Sequence, residues 1–201
     1  MKLPTLRVPV LVALAVIAAG CSGERIVNTD EPPPARPVAP PPASPTPPPS
    51  NVHLVNAFDY AGSPEGGTRY FFVSPSGSWA CAIVPRVKAG CQSADSFGSS
   101  LGITGEPETV PNAAGEAVAP NAVVVDREGE AHFAAVDQPE FALDPGPAKD
   151  LPFNRILAAA GFRCNVQETG VSCLSELSGK GFTFSADAFV PQYTDVPAGA
   201  P

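Results

Sequence analysis

The chain has 201 residues, with 12 basic against 20 acidic side chains and a formal charge of −8; prolines number 26, tryptophan one. A field of that sign repels polyanions, so nucleic acid, anionic lipid headgroups and anionic wall polymers are poor partners. An acidic balance also serves simply to keep a protein soluble.

Residues 1–20 read as a lipoprotein signal. Lys2 and Arg7 form a basic start, and 8–19 is an apolar run shorter than the roughly 20 residues a membrane-spanning helix needs. Ala18-Ala19-Gly20-Cys21 matches a lipobox, in which the cysteine sulfur receives a diacylglycerol before cleavage, although Ala18 stands where Leu is usual. The alternative is an ordinary cleaved secretory signal with Cys21 incidental. Cysteine placed directly after Gly20 and followed by a linker composition favours lipidation. Two or three palmitate-type chains, each contributing about 0.8 kcal/mol per buried CH₂, hold a protein durably where one would not. Without Lys2 and Arg7 the 12 basic residues fall to 10 against 20 acidic, a formal −10 for the mature chain.

Residues 21–50 form the lipidated cysteine and a disordered stalk of Pro, Ala and Ser, densest at Pro32-Pro33-Pro34, Pro40-Pro41-Pro42 and Pro47-Pro48-Pro49. Such a stretch cannot build a core. In polyproline II geometry, at about 3.1 Å per residue, it reaches on the order of 90 Å. It is read as a spacer before a ligand for aromatic grooves, because P-x-x-P occurs by chance at this proline density.

Residues 51–196 have the size of one domain, with 197–201 a disordered tail. Short apolar or alternating runs broken by Gly, Pro and Ser predict an all-β fold, a disulfide-stapled antiparallel sandwich or barrel-like domain built of hairpins. Residues 52–55 open it. Residues 68–73 and 78–84 flank Ser74-Pro75-Ser76-Gly77, in which Pro suits the second position of a tight turn and Gly its end. Residues 101–120, rich in Gly, Pro, Glu and Ala without periodicity, read as a long surface loop. Residues 121–125 and 130–136 flank Asp126-Arg127-Glu128-Gly129, where Gly can supply a left-handed residue to a bulged hairpin. Residues 150–161 suit one short helix, with Asp150 as N-cap, Pro152 in the first turn and Gly161 closing it. In 181–189, Phe182, Phe184, Ala186 and Ala188 share one face and Thr183, Ser185 and Asp187 the other.

Setting Cys21 aside leaves Cys81, Cys91, Cys164 and Cys173, an even set in an exported chain. Trp79 and Phe162 each stand two residues before a cysteine, on the same strand face. Pairing 164 with 173 centres a turn between Glu168 and Thr169; pairing 81 with 91 centres one on Arg86. Four cysteines allow three connectivities, and the local one is favoured because each pair straddles its own turn. Structural zinc wants closer C-x₂₋₄-C pairs, and redox work a C-x-x-C, so staples are preferred to either.

Phe72-Val73-Ser74-Pro75-Ser76-Gly77-Ser78-Trp79-Ala80-Cys81, Gly161-Phe162-Arg163-Cys164, Gly170-Val171-Ser172-Cys173 and Gly179-Lys180-Gly181-Phe182 carry a resemblance. The chain resembles a family of exported proteins and lipoproteins of high-GC Gram-positive bacteria, of unknown activity, with motifs like F-x-S-P-S-G-N-x-x-C and G-H-G-F. Ser78 stands where the family has Asn and Lys180 where it has His, and a further cysteine pair of many relatives has no counterpart. The resemblance implies an all-β, disulfide-stapled export domain in which 150–161 is extended.

Catalytic signals are weak. Ser76 lacks the flanking glycines of a nucleophile elbow and reads as a turn serine. His53 and His132 are too far apart for local metal spacing, and a triad of His132 with some Ser and Asp is a guess any chain permits. Lys180 lacks a phosphate loop around it. Asp126, Glu128, Glu130, Asp137 and Glu140 could ligate calcium, but no EF-hand or repeat pattern supports it. Phe71, Phe72, Trp79, Phe182, Phe184 and Phe189 could line a ligand groove, though most are needed as core. No catalytic, metal or cofactor residues are assigned. The sequence therefore reads as a lipoprotein on the extracytoplasmic face of the cell membrane, held by Cys21. Its domain would be a non-catalytic module binding an envelope protein or extracellular ligand; the alternatives are an accessory or sensor domain of a membrane complex, or a cell-envelope hydrolase.

Overall fold

The computed structural model describes residues 48–64, 67–95, 100–137, 139–146 and 148–201. Cys21, the leader and the proline-rich stalk up to residue 47 lie outside the described residues.

Two antiparallel sheets are built from consecutive hairpins. The first contains β1 (Ala61–Gly62), β2 (Arg69–Val73), β3 (Trp79–Val84), β4 (Lys88–Ser93), β7 (Ala122–Asp126) and β8 (Ala131–Ala134), in that spatial order. The second contains β9 (Arg155–Ala159), β10 (Phe162–Gln167), β11 (Gly170–Ser175), β12 (Gly181–Phe184) and β13 (Phe189–Val190), again in chain order. β4 and β7 pack across against β10, β11 and β12, so the fold is a sandwich of two meanders.

Turn chemistry sets the register. Gly77 N–H bonds Ser74 C=O at 2.8 Å with Gly77 at φ 74°, closing the Ser-Pro-Ser-Gly turn between β2 and β3. Val84 pairs with Lys88 around Pro85-Arg86-Val87, and Gln167 with Gly170 around Glu168-Thr169. Those registers set Cys81 directly opposite Cys91 and Cys164 directly opposite Cys173. Both pairs are disulfide-bonded, with Cα–Cα distances of 4.0 and 4.1 Å, and all four residues are fully buried. From opposite sheets they enter one core with Phe72, Ile83, Val123, Leu157, Phe162 and Phe182.

One open local expectation is decided and three are corrected. Of the two readings of 150–161, a helix from local signals and an extended segment from the resemblance, the structure has the extended one: Ile156 and Leu157 are both buried, in β9, which pairs with β10 from Phe162↔Ala159 to Val166↔Arg155. Ala160 and Gly161, at φ 50° and 91°, make the two-residue turn between them, so Gly161 closes a hairpin where a helix end had been expected. Residues 101–120 are more than a surface loop. Leu101 and Ile103 are buried in the core, and β5 (Val110–Pro111) pairs with β6 (Ala117–Val118) around the Asn112 side chain, which accepts from Ala114 and Glu116 N–H at 2.9 Å each. The face shared by Phe182 and Phe184 stops there, because Ser185 N–H bonds Ala188 C=O and turns the chain into β13. In the β7–β8 connection, Gly129 is not left-handed; its Cβ position lies 3.3 Å from Asp126 Cβ.

Irregular chain covers the outer face of each sheet. Across the first, residues 139–146 seat Phe141 and Leu143 on Phe71, Ala82, Ala122 and Val124. Gly90 makes this possible: a Cβ there would meet the Phe141 ring at 2.5 Å and Val123 O at 2.8 Å. Gln92 Oε1 accepts the Phe141 N–H at 2.9 Å, and Asn121 brackets Val136 with bonds of 2.9 and 2.8 Å. Over the second sheet lie the two ends of the domain. Residues 53–55 run parallel to β9, bonded through Val55 N–H to Ile156 C=O and Ile156 N–H to His53 C=O. Arg163, nearly buried, donates to Ser50 C=O at 2.7 Å, to Asn51 Oδ1 at 3.2 Å and to Glu176 Oε1 at 2.8 Å. Asp195 accepts Ser50 N–H at 2.6 Å, and the tail beyond Pro197 places Ala198 C=O 3.3 Å from His53 Nε2.

Two outcomes follow from this packing. Gly90→Ala should lower the unfolding free energy by about 1–3 kcal/mol in denaturant titrations, the scale of core overpacking, and Gly90→Ala with Phe141→Ala should cost less than the two changes summed. Burial is the main cause that pushes the Tyr193 phenol above its ordinary range, with Asn165 opposing and Asp195 reinforcing the rise. Its stabilising contribution is therefore complete below about pH 10, the ordinary tyrosine value, and declines above it as the unfolded chain ionises first. The denaturation midpoint should fall between about pH 10 and 12, less steeply in Tyr193→Phe.

Candidate functional site

The segment that roofs the first sheet also shapes a concave surface beside it. Glu140 is the hinge of that surface. Its carboxylate pairs with Lys88 Nζ at 2.7 Å, both side chains roughly four-fifths covered, while its carbonyl accepts from Arg69 Nη1 at 3.2 Å. Lys88 Nζ also stands 5.8 Å from the centroid of the Phe141 ring, close enough for a cation–π contribution. Two hollows flank this anchor and share Asp137 and Glu140. One, of about 340 Å³, is lined by Arg69, Pro139 and Asp144 besides these. The other, of about 620 Å³, opens toward the β5–β6 hairpin at Asn112 and Ala113 and toward Asn121. Fixed cations beside carboxylates, with amide side chains at the far wall, suit hydrogen bonding to a polar ligand. A third hollow of about 430 Å³ lies at one end of the sandwich, where Arg86 and Arg127 face Ala160, Gly161 and Leu177.

The residues singled out from sequence are dispersed. Ser76 Oγ lies 3.0 Å from Ser74 Oγ and accepts the Ser78 N–H, which makes it part of its own turn. His132 Nδ1 is 3.0 Å from Glu130 C=O on the edge strand β8; His53 Nδ1 is 3.1 Å from Arg155 Nη1 beside β9. Lys180 pairs with Glu130 at 2.7 Å. Of the five carboxylates considered for calcium, Asp126 ends β7, Glu128 and Glu130 belong to the β7–β8 connection, and Asp137 and Glu140 line the cleft. Among the described residues no three His, Cys, Asp or Glu side chains converge as a metal site would need. The aromatics fill the interior: Phe72, Phe182 and Phe184 are buried between the sheets, Trp79 stands edge-on to Phe184 at 4.8 Å, and Phe189 contacts Phe133 at 4.7 Å. Phe71 faces the other way, into the small core beneath Phe141.

Sequence reasoning missed Lys88, Arg69, Phe141 and Arg163. The available signal was a lone Phe141-Ala142-Leu143 inside a Pro- and Asp-rich stretch, opposite a glycine in a strand.

These features define an all-β sandwich stapled by two disulfides, and such bonds suggest an extracytoplasmic location. No family model, no curated protein and no solved structure matches the chain.

Glu140→Gln should loosen the roof over the first sheet. The expected loss is about 0.5–1 kcal/mol, as for partly exposed ion pairs, and a cycle with Lys88→Met should show most of it as coupling. Faster hydrogen exchange at the Phe141 amide would report the same event locally.

Proposed function

We propose that the protein is a lipid-anchored envelope protein whose β-domain is a non-catalytic binding module carried on a proline-rich spacer. The observation that carries this reading is the joint presence of a lipobox ending at Cys21 and two cystines buried in the core of the domain that follows it. Each feature belongs to the far side of the membrane: thioether lipidation accompanies export, and cystines persist only where the surroundings are oxidising. The resemblance to exported proteins of high-GC Gram-positive bacteria points the same way. The paired hollows around Asp137 and Glu140 offer the module a polar contact surface on the outer side of the first sheet.

The test has two arms. In cells grown with an alkynyl palmitate, the wild-type protein should be labelled and sediment with membranes, whereas Cys21→Ala should be unlabelled. A photo-cross-linking side chain at Ala142, beside the cleft, should capture a defined partner that the same group at Glu128 does not. An unlabelled mature protein beginning elsewhere than Cys21 would overturn the anchor. Absence of a cleft-specific adduct, together with turnover in a broad hydrolase screen, would overturn the binding role.

A further inference from the structure

The C-terminal segment is held to the second sheet in an unusual way. Residues 192–196 cross the outer face of β10, β11 and β12; Gln192 N–H bonds Val190 C=O of β13 at 2.8 Å, but among the described residues no main-chain bond joins 192–196 to β10, β11 or β12. The sheet reaches them with side chains. Asn165 Nδ2 donates to Thr194 C=O and to Tyr193 Oη, both at 3.0 Å. Gln167 Nε2 donates to Thr194 C=O at 3.2 Å and Asp195 C=O at 3.4 Å. Thr183 Oγ1 donates to Gln192 C=O at 2.8 Å and lies 2.7 Å from Ser172 Oγ and 2.8 Å from Thr194 Oγ1. Asn165 and Ser172 are completely covered by this arrangement, at 0 % and 1 % exposure.

The groove is also shaped for its occupant. Gly181 leaves a gap under Tyr193: a Cβ there would stand 3.1 Å from Tyr193 Cβ, besides meeting Cys173 O at 2.3 Å. Tyr193 Oη donates to Asp195 Oδ1 at 3.2 Å, and the same carboxyl oxygen accepts the Val196 N–H at 3.0 Å, folding the aromatic and acidic residues into one recognition unit. Val196, 2 % exposed, completes the seat. Three amide or hydroxyl side chains thus address carbonyls of residues 192, 194 and 195. Bonds to main chain supply affinity for an extended backbone of any sequence, and side-chain seats supply selectivity.

We propose that this face is a peptide-binding groove, filled in cis by the chain's own residues 192–196, that takes in trans an extended protein segment with a tyrosine-x-aspartate pattern. This deepens the binding-module reading by naming a second surface and the chemistry of its partner. The occupant on the page is itself the argument: the groove satisfies a peptide's carbonyls through side chains that, among the described residues, have no other main-chain partner in the sheet. A competing segment needs only to reproduce those acceptors, a tyrosine hydroxyl and a carboxylate two residues later.

The experiment uses the whole mature chain with a protease site introduced at Pro191, cleaved after folding, and a fluorescent peptide of residues 191–201 as probe. The cleaved protein should keep its β-sheet circular dichroism and both disulfides and should bind the probe by anisotropy. The uncleaved protein should bind it at least tenfold more weakly. Asn165→Ala in the protein, or alanine in place of Asp195 in the probe, should each weaken binding at least tenfold. A chain ending at Val190 provides the same site without cleavage and should behave alike. Failure of both forms to stay folded would show the segment to be an integral part of the sandwich and would overturn the proposal, as would folded protein that binds no probe. Lipid labelling at Cys21 and cross-linking at Ala142 read the general binding role independently, so the two claims fail separately.

Discussion

Two cross-strand cystines facing each other's sheet are the constraint on which the rest of the structure depends. β3 and β4 are the middle strands of the first sheet, and β10 and β11 lie at the heart of the second. Each pair is bolted at directly opposed residues, and all four sulfurs point into the shared core. The bolts fix register where a one-residue slip would turn every inward side chain outward. They also close loops of about ten residues, for which chain-entropy arguments give roughly 2.5–3 kcal/mol apiece. Trp79 and Phe162, two residues before Cys81 and Cys164, then fall on the inner face and bring their rings to the same interior.

With the centre fixed, the outer faces are left to irregular chain, and that is where polar chemistry gathers. Phe141 over Gly90 seats residues 139–146 on the first sheet, and the cleft at Asp137 and Glu140 is the rim of that roof. On the second sheet the polar side chains Arg163, Asn165, Ser172 and Thr183, which alternation sends outward, are covered by the two chain ends and not left to water. Arg163 and Asp195 meet Ser50 from either side, so the point where the stalk would join the domain is tied to the C-terminal segment.

Local chemistry made much of the fold readable. The turns at Ser74-Pro75-Ser76-Gly77 and around Arg86 and Glu168-Thr169 lie where Pro, Gly and cysteine spacing put them, since hairpin geometry is decided within a few residues. Local signals alone pointed to a helix at 150–161, but Ala-rich propensity and a cap-like Asp150 were outweighed by pairing with β10, a tertiary effect invisible to local preference, and the extended alternative is the one formed. Residues 101–120 hid Leu101 and Ile103 because two isolated apolar residues carry no period. The cleft was unreadable for a related reason: Lys88, Arg69 and Glu140 come from distant parts of the chain and meet only because Phe141 seats itself on a glycine. The same holds for Asn165 and Gln167, which alternation marks as outward but which only the returning C-terminus makes into a groove.

The central claim is most directly tested by mapping disulfides in protein isolated from its native cells, with thiols blocked at lysis and peptides analysed without reduction. The account predicts peptides linked through Cys81 with Cys91 and through Cys164 with Cys173, and no alkylated cysteine among the four. Free thiols at these positions, or linkage of either early cysteine to a late one, would contradict it.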